Sequence, residues 1–291
     1  GKQGEMIPHY AQGDVATATQ IQAYFSRWNK LPVGRDEETA VMQSVMDEAW
    51  HGNGRLLSIV GTAGAGKTRL LAAGVQHWLG KGGEGLVGLC QQHLSDTPFA
   101  AWRTIWQDFF GLLPTMSATE QAQLVINRTR ALLPDVNDDD VGLWGDLLGL
   151  PITQTAVLSA MTAESRQMRF FALARRCLHV AATTQPLLIV LEDIHWADEA
   201  SLKLIDELVA HFTASPLLIA LLFRPMDDLQ LDALADATTI NITDLTPQNA
   251  RRLMQQLTGA ETLPPLVEQH LGLRDRDGRD SPVNPLFLEE S

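Results

Sequence analysis

Cysteine is nearly absent from this sequence, with only Cys90 and Cys177 among 291 residues. They fall in segments patterned as a strand and a helix, and two thiols in a chain of this size point to a reducing compartment and not to a disulfide framework. A block of basic residues is also missing. The 22 lysines and arginines face 35 acidic residues, for a net charge of −13. That balance argues against a duplex-binding surface and against a nucleic-acid partner. Long hydrophobic runs are lacking too. The longest, "LLIALLF" from Leu217 to Phe223, falls far short of the roughly 20 residues that cross a bilayer. No cationic-then-apolar leader opens the chain. A cytoplasmic protein with no membrane partner is expected. What the chain does have is 45% hydrophobic content, ample for one large domain or a domain with a smaller appendage. It starts at "GKQGEM" and stops at "FLEES" inside a helical pattern, so a piece of a larger protein is expected.

Residues 1–30 carry little pattern, and "DVATATQIQAYFSRW" reads as a lead-in helix. "LPVGRDEE" (Leu31 to Glu38) is a turn followed by acids suited to a helix start. Val41, Met42, Val45, Met46, Ala49 and Trp50 then recur at helical spacing. Five strands are expected: Arg55–Val60, Gly85–Cys90, Pro186–Asp193, Pro216–Phe223 and Thr238–Ile242. The third and fourth are continuous apolar runs, as strands buried on both faces should be. Helical patterns separate the strands, including Glu199–Phe212, which implies an α/β fold with a mostly parallel sheet and helices on both faces. Residues 91–185 are too many for one crossover. "PFAAWRTIWQDFFGLL", "TEQAQLVINRTRALL" and "ESRQMRFFALARRCLHVAA" make this stretch a helical insertion. Near Asp244 the pattern turns purely helical, with "PQNARRLMQQLTG", "PPLVEQHLGL" and "NPLFLEE". An α/β domain over 31–243 and a small, incomplete helical domain over 244–291 are expected. "DRDGRD" (Asp275–Asp280) lacks EF-hand spacing and reads as a solvated loop.

Three features carry chemistry. "GTAGAGKT" after the first strand matches G-x-x-x-x-G-K-[ST] without a gap. Gly61, Thr62, Ala63, Gly64, Ala65 and Gly66 would wrap their N–H groups around phosphates, helped by the positive end of the next helix. Lys67 would reach the β- and γ-phosphates and Thr68 would ligate magnesium. "LLIVLEDIHWAD" puts Glu192 and Asp193 at the carboxyl end of a buried strand, where ligands of open α/β sheets bind. One acid would hold the magnesium and the other polarise an attacking water. His195 and Trp196 fit packing as well as chemistry, and Asp198 suits the cap of the next helix. Arg224, after the fourth strand, would distinguish ATP from ADP by a charge-assisted bond, or else is a surface arginine before a turn. Arg69, Arg166, Arg169, Arg175 and Arg176 are further cations without an assigned role.

"VGRDEE", "GTAGAGKTRLL", "LEDIHWADEASL", "LLFRP" and "NPLFLEE", in that order, resemble the AAA ATPase domain of the STAND signal-transduction NTPases, a P-loop NTPase class. The likeness is to modules beside class III adenylate cyclase domains and in large ATP-binding LuxR-type regulators. It spans roughly residues 31–291. The resemblance implies a five-stranded sheet of order 5-1-4-3-2 with a helical lid. It implies that the Val33 backbone, Arg35 and, from the lid, Pro285 lie near the adenine of ATP or ADP, and that Arg224 is the family's sensor arginine. It also implies that Glu192 is the magnesium acid and Asp193 the water-polarising one. Two departures stand out: Val283-Asn284-Pro285 where the family has Gly-Asn-Pro, and Glu192 where it has Asp. The reading is an ATP-driven switch with slow hydrolysis. Its partners would be effector and sensor domains in the same polypeptide, with nucleotide-dependent self-association. A non-hydrolysing nucleotide-binding module and a DNA-loading AAA+ ATPase of origin-recognition type are the alternatives, the charge opposing the last.

Overall fold

The computed structural model describes residues 19–28, 32–212, 214–226, 229–259, 262, 267, 268, 271, 273 and 280–290. The start of the lead-in helix, most of "PPLVEQHLGL" and most of "DRDGRD" lie outside the described residues. Five strands form one all-parallel sheet: β1 (Arg55–Gly61), β2 (Glu84–Leu89), β3 (Leu187–Glu192), β4 (Leu217–Phe223) and β5 (Thr238–Ile242). Their order is β2-β3-β4-β1-β5. It is the expected order, counted from the opposite edge.

Successive side chains of a strand point to opposite faces, and the two central strands split their apolar residues accordingly. Leu187, Ile189 and Leu191 of β3, with Leu217, Ile219 and Leu221 of β4, enter one core. Leu188 and Val190, with Leu218, Ala220 and Leu222, enter the other. Helices α1 (Gln20–Phe25), α2 (Asp36–Trp50) and α3 (Lys67–Gly80) cover the second face. The first face is covered by the insertion and by the helix that follows β3. These are α4 (Ala100–Phe109), α5 (Ala118–Leu132), α6 (Asp138–Leu148), α7 (Ala156–Ala160), α8 (Ala163–Thr184) and α9 (Glu199–Val209).

Aromatics join the insertion's helices to one another. Trp106 and Trp144 sit 4.6 Å apart between centroids, and Phe110 meets Trp144 edge-on at 4.9 Å. Such contacts stabilise beyond their area by about 0.5–1.5 kcal/mol each. Four of the unassigned arginines belong to this layer: Arg166 pairs with Asp146, Arg169 with Asp139 and Asp140, Arg175 with Glu207, and Arg176 with Asp135. Cys90 and Cys177 are free, buried thiols. Among the described residues no helix is long and apolar enough to cross a membrane.

Beyond β5 the chain builds a lid with its own small core of Leu245, Leu253, Met254, Leu273, Val283 and Leu288. It contains α10 (Pro247–Thr258), capped by the Thr246 side chain and closed by Gly259, and α11 (Pro285–Glu290). An antiparallel bridge joins Leu245 to Val283. Val283, where the resembled family has glycine, is 7% exposed and fills the lid core.

A candidate nucleotide site at the carboxyl edge of the sheet

All strands being parallel, their carboxyl ends share one edge. β4 lies between β1 and β3, with Val60 opposite Phe223 and Glu192 opposite Leu222. The glycine loop, the acid pair and Arg224 therefore leave three adjacent strands at the same height. They border a cavity of about 400 Å³, lined also by Val33, Arg35, Ala63 to Arg69 and Pro285. Gly61 and Thr62 are not among its lining residues, and their carbonyls are bonded by Lys67. Leu222, Leu245, Leu253 and Leu286 give the lining apolar surface as well, so a base and a phosphate chain would each find a suitable surface.

The loop needs its glycines. Gly64 and Gly66 have φ of 76° and 98°, in the left-handed region that disfavours a side chain. Gly66 ends the loop as the N-cap of α3, so that helix presents its unbonded first-turn N–H groups and the positive end of its dipole here. Lys67 Nζ folds back and donates to the Gly61 and Thr62 carbonyls, 2.9 Å each. Burial lowers its pKa, and nearby Arg224 adds to this, while Asp193 and Glu192 oppose it. From the lid, Asn284 Nδ2 donates to the Ala63 carbonyl at 2.9 Å.

The two acids occupy different environments. Glu192, the last residue of β3, is 7% exposed. Its Oε2 accepts from the Tyr24 hydroxyl at 2.6 Å, and its buried Oε1 has no hydrogen-bond partner among the described residues. Burial raises the carboxyl's pKa; the Tyr24 and Thr68 hydroxyls pull it back. Asp193 is half exposed and sits at φ 54°, ψ 43°. A non-glycine residue held there costs about 1–3 kcal/mol and such strain gathers at functional positions. The turn it makes leads to Asp198, which caps α9 through the Ser201 N–H and also accepts from the Phe99 N–H at 3.0 Å. His195 is packed: its side chain is 6% exposed, Nδ1 lies 3.9 Å from Asp193 Oδ1, and neither ring nitrogen is hydrogen-bonded among the described residues. Burial lowers its pKa, opposed by the Asp193 charge and helped by Arg224 and Lys67.

Three arginines line the cavity. Arg35 is buried and donates to the Ala65 carbonyl at 3.3 Å and to the Thr243 carbonyl, while pairing with Glu38. It ties the loop to the exit of β5. Arg224 is exposed at the mouth, and Arg69 stands beside Thr68. Two further lining or contacting residues, Trp28 and Tyr24, have no signal in the sequence beyond their place in a lead-in helix.

The donors suit magnesium. That ion keeps several waters and takes one or two protein oxygens plus phosphate oxygens. Thr68 and Glu192, whose Oε1 has no hydrogen-bond partner among the described residues, would provide such a pair. Among the described residues no group of three or more His, Cys, Asp or Glu could form an all-protein cage.

The family model for the AAA ATPase domain matches residues 31–222, in agreement with the resemblance read from the motifs. No curated protein matches the chain in sequence at a significant level. Among solved structures it is similar to a signal transduction ATPase with numerous domains (STAND) protein with a tetratricopeptide repeat sensor from Pyrococcus horikoshii. That pair shares 16% identity at a TM-score of 0.45, covering 89% of this chain and 29% of the other. AMPPCP-bound DnaA from Aquifex aeolicus aligns at 11% identity and TM-score 0.47, covering 94% and 64%. Drosophila ORC bound to DNA aligns at 13% identity and TM-score 0.47, covering 99% and 64%. The chain thus spans less than two thirds of each of these three.

Proposed function

The chain belongs to the AAA ATPase domain family, and from that premise we propose that it is an ATP-binding, slowly hydrolysing switch domain of a larger signalling or regulatory protein. The observation that carries the reading is the seating of the lid on the glycine loop through Asn284 and Ala63. A nucleotide in the cavity would touch both bodies. Its γ-phosphate can shift the lid only by contacting one arrangement better than another, and Arg224, which lines the cavity at the end of β4, would make that difference.

Each residue then has a role. Lys67 would exchange the Gly61 and Thr62 carbonyls for phosphate oxygens. Thr68 and Glu192 would hold magnesium, which when bound supplies charge compensation for the phosphates. Asp193 would accept a hydrogen bond from the attacking water and orient it. Val33, Leu253 and Pro285 would flank the base. Sensor and effector domains in the same polypeptide, and self-association set by nucleotide, are the partners such a switch would serve.

The test pairs ATP affinity, with and without magnesium, with single-turnover hydrolysis. A group acting only in the transition state affects turnover and spares binding. Asp193→Asn should keep magnesium-dependent binding and lose about 10²–10⁴-fold in hydrolysis. Glu192→Gln should instead weaken the magnesium dependence of binding. Wild-type protein that binds ATP and never turns it over would make this a structural nucleotide-binding module. Hydrolysis at the wild-type rate by Asp193→Asn would strip Asp193 of its water-orienting role.

A further inference from the structure

Helix α1 lies 168 positions from the end of β3 in sequence, yet one of its side chains finishes inside the candidate site. The helix is short and well fastened. A capping box at Thr19 starts it, and Ile21 and Phe25 are buried in the core shared with β2 and α3. Ile21 packs so closely on Gly85 that a Cβ there would meet it at 2.8 Å. This seating points Tyr24 at Glu192. The Arg27 guanidinium covers the Tyr24 ring at 4.9 Å from its centroid, holding the phenol from its other side.

The consequence lies in how the Glu192 carboxylate is used. A glutamate has one more rotatable bond than the aspartate of the resembled family, and so more orientations to lose on binding. The Tyr24 hydroxyl takes Oε2 at 2.6 Å, within the range of a strong O–H to carboxylate bond. Oε1 is left buried and without a hydrogen-bond partner among the described residues. We propose that Tyr24 is a positioning residue for Glu192, holding the carboxylate so that Oε1 alone is offered to the magnesium of a bound nucleotide. Helix α1 is then part of the metal-binding unit. This rests on the reading of Glu192 as the magnesium acid.

Tyr24→Phe removes the hydroxyl and keeps the ring. ATP affinity is measured by calorimetry in EDTA and in magnesium for wild type, Tyr24→Phe, Glu192→Gln and the double variant. Tyr24→Phe should leave the EDTA affinity unchanged and cut the magnesium enhancement roughly tenfold, the scale of one charge-assisted hydrogen bond. In the Glu192→Gln background it should change nothing further, since the two act as one unit. A full magnesium enhancement in Tyr24→Phe, with Glu192→Gln losing it, overturns the proposal and spares Glu192. An equal loss in EDTA and magnesium also overturns it, because that marks a packing role. If Glu192→Gln itself keeps the enhancement, the magnesium assignment falls and the proposal with it.

Discussion

The Asn284 amide reaches across 221 positions of sequence to the Ala63 carbonyl, while its own oxygen accepts from the Leu286 N–H at 3.0 Å. Asn284 thereby orders the start of α11 and binds it to the glycine loop with one side chain. Among the described residues, the turn at Asn284 to Leu286 brings the lid onto the loop.

Gly64 is the point where this contact leaves no room. A Cβ there would stand 2.5 Å from Leu286 Cβ and 2.6 Å from Asn284 Oδ1, at a φ of +76°. Gly64→Ala should therefore push α11 off the loop and lower stability by about 1–2 kcal/mol. ATP affinity should fall with it, by roughly tenfold if one bond's worth of contact is lost. Thermal melting and calorimetry on the same samples check this. Unchanged values for both would mean the lid does not rest on Gly64.

Lys67→Ala should weaken ATP binding and leave the fold intact, because among the described residues the ammonium bonds only to carbonyls of its own loop. Removing charge-assisted bonds to phosphate costs roughly 1.5–3 kcal/mol, about ten- to over a hundredfold in affinity. Calorimetry that returns the wild-type affinity would place the phosphates elsewhere.

Arg224→Ala should narrow the gap between ATP and ADP more than it lowers either affinity. Its position at the end of β4 on the cavity wall would put it against the terminal phosphate. Parallel titrations with the two nucleotides decide it; an equal loss for both would make Arg224 a general phosphate contact.

A pH effect arises on the far side of β2. Burial, with the charge of Glu84 adding, pushes the Asp108 carboxyl up to about 6. An acid whose pKa is raised on folding holds its proton more tightly in the native state. Its stabilising share is complete below the ordinary value near 4 and lost as pH rises through about 6. Asp108→Asn, uncharged throughout, should be more stable than wild type above about pH 7, by on the order of 1 kcal/mol after discounting for partial exposure. The difference should shrink toward about pH 4. Urea midpoints at the two pH values test it, and a gap that does not vary with pH would count against it.

The strands are readable because their burial is local in origin. β3 and β4 are apolar at nearly every position, and "TTINI" has the bounds its pattern suggests. β1 runs one residue further than its apolar stretch because Gly61 still pairs with Ile242. Helix α6 escapes a reading by periodicity. Its caps are written in the sequence, with Asn137 accepting from Asp140 N and Gly149 closing the end. Gly142 and Gly145 dilute its helical propensity. Packing explains the first of them, since a Cβ at Gly142 would meet Leu158 at 2.7 Å. The glycine loop and strand acids are legible because their spacing is the chemistry. Tyr24 is not, since a contact between distant segments leaves no periodicity at either end. The backbone partners of Arg35 are equally silent, because carbonyls have no residue type.

Arg35 also ties the root of the lid to the glycine loop. One guanidinium holds Ala65 in the loop and Thr243 at the exit of β5, just where the chain passes into the lid. While those bonds persist they hold the lid's root against the loop, so a rearrangement of the lid that kept them would pivot near Thr243. Displacement in a swing grows with distance from the pivot. Leu245, two residues on, would scarcely shift, whereas the far side of the lid would travel much further. Arg35 is in this sense a hinge pin: a small change in angle at the phosphate edge would emerge at the outer surface as a long stroke.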